Sequence, residues 1–264
     1  MRFSVQMKKA SLVGAFFVSI FLTFQAQALC PASGSLARAQ VARVVDGDTL
    51  RLVDGRSVRL IGLNAPEMGR KGIGAEPFAE AAKRRLQALV SANGGYVRLR
   101  TGQQAKDHYG RLLAHVYDEQ GDNFEARLLA EGLGFFVAIA PNTDLADCHF
   151  AAEQQARAAN RALWRRSPVI PAGELRHGGF ALIRGQVERV QVNRGGIWLE
   201  LADSVVLHIP HASASAFASA LDNLPGRAVE ARGWVIDRKG RADLSRQARW
   251  LLKLTAPSML IVQP

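Results

Sequence analysis

The sequence predicts a mainly β, mixed α+β protein: a small five-stranded barrel with three interleaved helices, then a second, smaller β-rich unit. Three observations carry that expectation. Short runs alternate apolar and polar residues between turn signals such as Asp54-Gly55 and Gln120-Gly121-Asp122, as half-buried strands do. Three other stretches repeat apolar residues at helical spacing. The segment 167–179, with Pro168, Pro171, Gly173, Gly178 and Gly179, breaks the last helical pattern before strand-like runs resume.

Residues 40–45 and 50–53 alternate around Asp46-Gly47-Asp48 and read as a hairpin-like pair, with a third strand over 57–63. Pro77 opens a helix to Val90 whose apolar positions are Phe78, Ala81, Ala82, Leu86, Leu89 and Val90. Asn93-Gly94-Gly95 ends it, and strands follow over 96–100 and 112–117. Asn123 is suited to cap a helix reaching Glu131, with Gly132 as its stop. An alanine-rich helix is expected over 145–164. Beyond the 167–179 linker, strands are expected over 181–192, 196–201, 205–209, 228–235 and 242–253, with a helix over 211–224.

At 264 residues, 48% hydrophobic and 22% charged, the chain has the composition of a two-domain globular protein. Its first 28 residues differ. Arg2, Lys8 and Lys9 precede an apolar run over 12–24, and Ala26-Gln27-Ala28 offers small residues at cleavage positions. That is the pattern of a signal peptide cut before Leu29. A retained anchor is the alternative, but the run is short for a spanning helix. Leu29 also stands before Cys30 where a lipoprotein needs a small residue. The expectation is an exported protein, periplasmic or secreted, without stable membrane insertion after cleavage.

Removing those residues lowers the net charge from +11 to +8, and both halves of the remainder are basic. Positive charge suits polyanions through counterion release and steering, although it also serves plain solubility. Cys30 and Cys148 are the two cysteines. In an oxidising compartment that count suits one disulfide; whether the two approach each other is left open by sequence.

Four motifs concentrate chemistry. Asp46-Gly47-Asp48-Thr49 puts two carboxylates on a tight turn, which is either an ordinary Asp-Gly hairpin or an oxygen-rich site for a hard cation. Arg59 shares a strand with Asn64-Ala65-Pro66-Glu67, Asp107-His108-Tyr109-Gly110-Arg111 forms a turn, and Asn123 to Gly132 forms a capped helix. In this order, over residues 40–164, the set resembles the staphylococcal nuclease (thermonuclease) family.

That resemblance implies an OB-fold barrel and a Ca2+-dependent phosphodiesterase acting on DNA, RNA or both. By matching positions, Asp48 would bind the cation directly, with Asp46 in support. Asn64 stands where relatives carry aspartate, so it offers an oxygen without charge, and Ala65 offers its carbonyl. Glu67 is the implied base for the attacking water, and Arg59 and Arg111 the phosphate clamps. Tyr109 matches a substrate contact, while His108 replaces a lysine. Relatives carry base-contacting tyrosines after the second helix; here Phe136 is the aromatic nearby, and core packing is its favoured role.

The five-strand pattern with one helix after the third strand suggests a second OB-like barrel over 180–264, following a nuclease-like domain over 29–166. Trp198, Trp234, Trp250 and the basic turn at Arg238-Lys239-Gly240-Arg241 fit either a binding module or an ordinary barrel. The alternative function is a catalytically weak domain that binds nucleic acid or an envelope partner. His208 and His211 have no metal-spaced partner nearby, and nucleotide-loop and nucleophile-elbow motifs are absent from the sequence.

Overall fold

The structure, a computed structural model, describes residues 29–263 apart from 70, 71, 73, 203 and 240–247. The expected leader and the first half of the strand expected over 242–253 lie outside those residues.

The first barrel is a ring closed by its own strands. It runs from β1 (Ala37–Val44) through β2 (Thr49–Leu52), β3 (Ser57–Leu60) and the short β4 (Leu63–Asn64) to helix α1 (Ala79–Ala92). Then come β5 (Tyr96–Lys106), β6 (Leu112–Tyr117), α2 (Phe124–Ala130), β7 (Phe135–Phe136) and α3 (Ala146–Ala158). The ring order is β1-β2-β3-β6-β5, with β5 returning to β1. One step, β3 to β6, is parallel. Alternate residues Leu50, Leu52, Val58, Leu60, Val97 and Leu99 point inward and are buried, so strand periodicity fills the barrel.

Helix α1 lays Ala79, Ala82, Leu86, Leu89 and Val90 on the core, the i, i+3, i+4 stripe of an amphipathic helix. Asn123 caps α2, its side chain accepting from Ala126 N at 2.8 Å. Two expected elements of this barrel are shorter than their patterns. The strand over 57–63 is split because Gly62 takes φ +86°, and a Cβ there would sit 2.1 Å from His149 Nδ1. The helix over 145–164 stops at Ala158. Asn160 turns left-handed at φ 49° and Arg161 N–H folds back to Ala156 O, a Schellman-type ending. Cys30 and Cys148 are bonded, tying the start of the described chain to α3.

The second β-rich unit contains β8 (Val169–Pro171), β9 (Gly179–Asn193), β10 (Gly196–Leu201), β11 (Val205–Ile209), α4 (His211–Ala214), β12 (Ala228–Asp237), β13 (Trp250–Lys253) and β14 (Leu260–Val262). Its pairings β9-β10-β11-β13-β12 close back onto β9, again with one parallel step, β11 to β13. The strand order therefore repeats that of the first ring. The segment expected as a linker is in part a strand: β8 joins the edge of β9, Val169 opposite Leu182. The apolar pair Val169-Ile170 finds a sheet edge between the two prolines, which the proline pattern alone conceals.

Charged side chains join the two rings. Glu230, Arg232 and Trp234 alternate along β12 and share one face, turned to the first barrel. Arg232, 1% exposed, donates to Glu153 of α3 at 2.5 Å and to Glu230 at 3.3 Å. Arg157 of α3 grips Glu230 with two bonds of 2.8 and 2.7 Å. Glu153 also accepts the backbone N–H of Phe136 at 2.8 Å. Removing one partner of such a pair strands a buried charge. Arg232→Ala is therefore expected to lower the unfolding free energy by about 3–5 kcal/mol, read from urea denaturation; a loss under about 1 kcal/mol would show that water or repacking replaces the guanidinium.

Candidate active site

Four segments meet in one cleft of about 990 Å³ on the first barrel. The β1–β2 turn supplies Asp46 and Asp48, β3 supplies Arg59, the chain from β4 supplies Asn64 and Glu67, and the β5–β6 turn supplies Asp107, His108, Tyr109 and Arg111. Local chemistry shapes each turn. Asp46 Oδ1 accepts Asp48 N–H at 3.1 Å, and Gly47 lets the turn lie under α1, since a Cβ would come within 2.7 Å of both Ala65 and Ala82. Asp107 accepts from Tyr109 N and Arg111 N, each at 2.9 Å, and from Arg111 Nε at 2.7 Å.

Asp48 and Arg59 form the centre. Asp48 is buried, and its Oδ2 receives Arg59 at 3.0 Å and Ala65 N–H at 2.9 Å, while Oδ1 accepts from Thr49 Oγ1 at 3.0 Å. Burial pushes the Asp48 carboxyl up to about 6, the Arg59 charge opposes that rise, and Asp46 adds to it. Arg59 is itself held by Leu60 O at 3.0 Å and Leu63 O at 2.7 Å, and it reaches Asn64 Oδ1 at 3.3 Å. Glu67 is exposed, and its backbone is fixed on both sides by Glu76: Glu67 N donates to the Glu76 carboxylate at 2.9 Å, and Glu67 O accepts Glu76 N–H at 2.9 Å. Asp107 holds Arg111 in the cleft and stays below the usual carboxylate range, where hydrogen bonds and charge from Arg111 outweigh the upward pull of partial burial. Tyr109 stands 74% exposed beside the Arg111 guanidinium.

Asp46, Asp48, Arg59, Asn64, Glu67, His108, Tyr109 and Arg111 all line this cleft. Ala65 lies behind it, spending its N–H on Asp48. Phe136 is fully buried beneath it and is core, leaving it unable to face a base. Two groups lie outside the candidate set drawn from the motifs. Trp234 of β12 lines the cleft from the second barrel. His115, Glu125 and His149 bring three ligand-type atoms within 4.8 Å of one another in the interior. Their bonds are internal: Glu125 accepts Val116 N–H and the Asn123 amide, and His149 Nε2 pairs with Asn123 Oδ1 at 2.9 Å. The cleft instead gathers side-chain oxygens of Asp46, Asp48, Asn64 and Glu67 along one opening, the donor type that a hard cation prefers. His208 and His211 each bond a backbone carbonyl, of Gly195 and Asn193.

A five-stranded ring carrying carboxylates, amides and arginines along one opening defines an OB-fold protein with an acid-and-guanidinium cleft. Residues 57–166 match the family model described as "Staphylococcal nuclease homologue". The chain is 33% identical over 130 residues to a thermonuclease of Staphylococcus intermedius, spanning 48% of this chain and 75% of that protein. It is 31% identical over 139 residues to Endonuclease YncB and 32% over 134 residues to the SPbeta prophage-derived endonuclease YokF, both of Bacillus subtilis (strain 168). Those matches span 51% and 48% of this chain, and 65% and 44% of the two relatives. The chain belongs to the staphylococcal nuclease family.

Burial, with His115 and Arg100 nearby, lowers His149 from 6.5 to about 3. The unfolded ring then binds a proton that the folded one refuses, so its contribution is whole above pH 6.5 and is lost as pH falls toward 3. The stability gap between wild type and His149→Gln is expected to narrow over that window, by at most about 1.4 kcal/mol per pH unit. Denaturant melts at stepped pH read it, and a gap unchanged down to pH 4 would refute the depressed value.

Proposed function

We propose that the protein is an exported, calcium-dependent nuclease that hydrolyses phosphodiester bonds of DNA, RNA or both by water attack on phosphorus. One observation carries this reading: Asp48, Arg59, Asn64, Glu67 and Arg111, drawn from separate segments, line a single cleft. The names of the relatives, endonuclease and thermonuclease, support the same reaction class. The leader pattern over 1–28 supports export.

The donor set fits a hard cation. Asp48 is a desolvated carboxylate that a positive charge would stabilise, and Asp46 and the Asn64 amide add oxygens, while Ala65, expected to offer its carbonyl, lies behind the cleft. Bound calcium would supply positive charge to the phosphate oxygens. Glu67, exposed at the rim with its backbone pinned by Glu76, orients the attacking water and accepts its proton. Arg111 offers a guanidinium fork to the phosphate, steadied from behind by Asp107. Arg59, gripped by Leu60 and Leu63 carbonyls, presents its charge without needing to reorganise. Tyr109 and His108 sit where an adjoining phosphate would pass.

The test is cleavage of single-stranded DNA and of RNA by the mature chain, with Ca2+ and with chelator. Calcium-dependent cutting is expected, abolished by Glu67→Ala and lowered about 10²–10³-fold by Arg111→Ala. Binding without cutting would leave only the nucleic-acid-binding reading. Asn64→Asp adds a charge to the oxygen set and is expected to tighten calcium binding in direct titration; unchanged affinity would remove residue 64 from the metal site.

A further inference from the structure

The cleft has an apolar side that its charged groups do not use. Among the described residues six large hydrophobic side chains are exposed, and three of them, Tyr109, Ile139 and Trp234, line this cleft. Trp234 is the one contributed by the other barrel. It is 42% exposed, and its indole stands edge-on against Phe180 at 5.3 Å and 66°. Phe180 contacts Phe135 at 5.6 Å, and Phe135 meets Trp164 at 5.9 Å. Trp234 thus ends a row of four rings that crosses from one barrel to the other. Two residues earlier on the same strand face, Arg232 is buried against Glu153, so the strand is anchored where it delivers the indole.

An exposed aromatic surface beside guanidinium groups matches a nucleotide, whose phosphate seeks charge and whose base offers a flat apolar face. We propose that Trp234 is a base-stacking residue, taking the face of a nucleobase that flanks the scissile phosphate of a single-stranded substrate. Unpaired strands are the fitting class because a base must leave its own stack to meet the indole. The second barrel then contributes to substrate recognition in the cleft of the first. This rests on the nuclease reading above.

The test uses the full mature chain as wild type, Trp234→Ala and Trp234→Phe. Each is given a single-stranded oligonucleotide with one preferred cut, and the same strand made abasic at either flanking nucleotide. On the intact strand Trp234→Ala is expected to lose about 5- to 150-fold in kcat/KM, and Trp234→Phe to recover most of it. On the correct abasic strand wild type falls to the level of Trp234→Ala, and the substitution ceases to matter. An undiminished penalty on both abasic strands would mark a packing effect and overturn the proposal, as would no penalty on the intact strand. If wild type cuts nothing, the nuclease reading fails by itself. Indole emission then decides stacking: quenching by the oligonucleotide that Trp234→Phe abolishes supports it, and quenching unchanged or absent in wild type overturns it.

Discussion

Arg232 is a buried guanidinium between two glutamates, and the arrangement of both barrels follows from it. Taking such a charge out of water costs several kcal/mol unless partners surround it. Glu153 comes from α3 of the first barrel and Glu230 from the same strand as Arg232, so the satisfied arrangement exists only with the rings docked. The network reaches further. Glu153 holds the N–H of Phe136, β7 pairs with β4 through Leu63 and Phe136, and Asn64 lies opposite Phe135. A charge pair at the interface thereby fixes the short sheet that carries one wall of the cleft.

Within the cleft, four acidic side chains (Asp46, Asp48, Glu67, Asp107) face four arginines (43, 51, 59, 111). The opening is balanced in charge, so a phosphate would be recognised by directed forks rather than by a broad positive field. Arg59 and Arg111 are oriented by different means. Backbone carbonyls and Asp48 hold the first, and one carboxylate holds the second. The first is a built-in part of the barrel, while the second stands on a turn shaped by Asp107.

The motifs of the first ring were legible in sequence because each is local, while their convergence on one site was implied by the family resemblance. Two carboxylates across one glycine, an arginine five residues before an amide and a five-residue acidic-to-basic turn each fall within a short window. In the second unit the regularly spaced alternating runs marked strands, and the pairing order that closes them into a ring emerged from the structure. What escaped was tertiary. Trp234 read as one of three tryptophans in a barrel, because nothing near it in sequence says that its strand face meets another ring. Val169 and Ile170 sit among prolines and so resembled a tether. The end of α3 depended on Asn160 turning left-handed, a choice that an alanine-rich pattern does not display.

The segment shared with the family model ends at residue 166, yet the cleft draws one of its lining residues from position 234. The unit that is inherited in common and the unit that encloses the opening are therefore of different size. Each charged group of the cleft lies before Pro168, while the later barrel supplies an aromatic lining residue and, through Arg232, the anchor of one wall. The charged lining of the opening and the indole at its rim thus belong to different barrels of one chain.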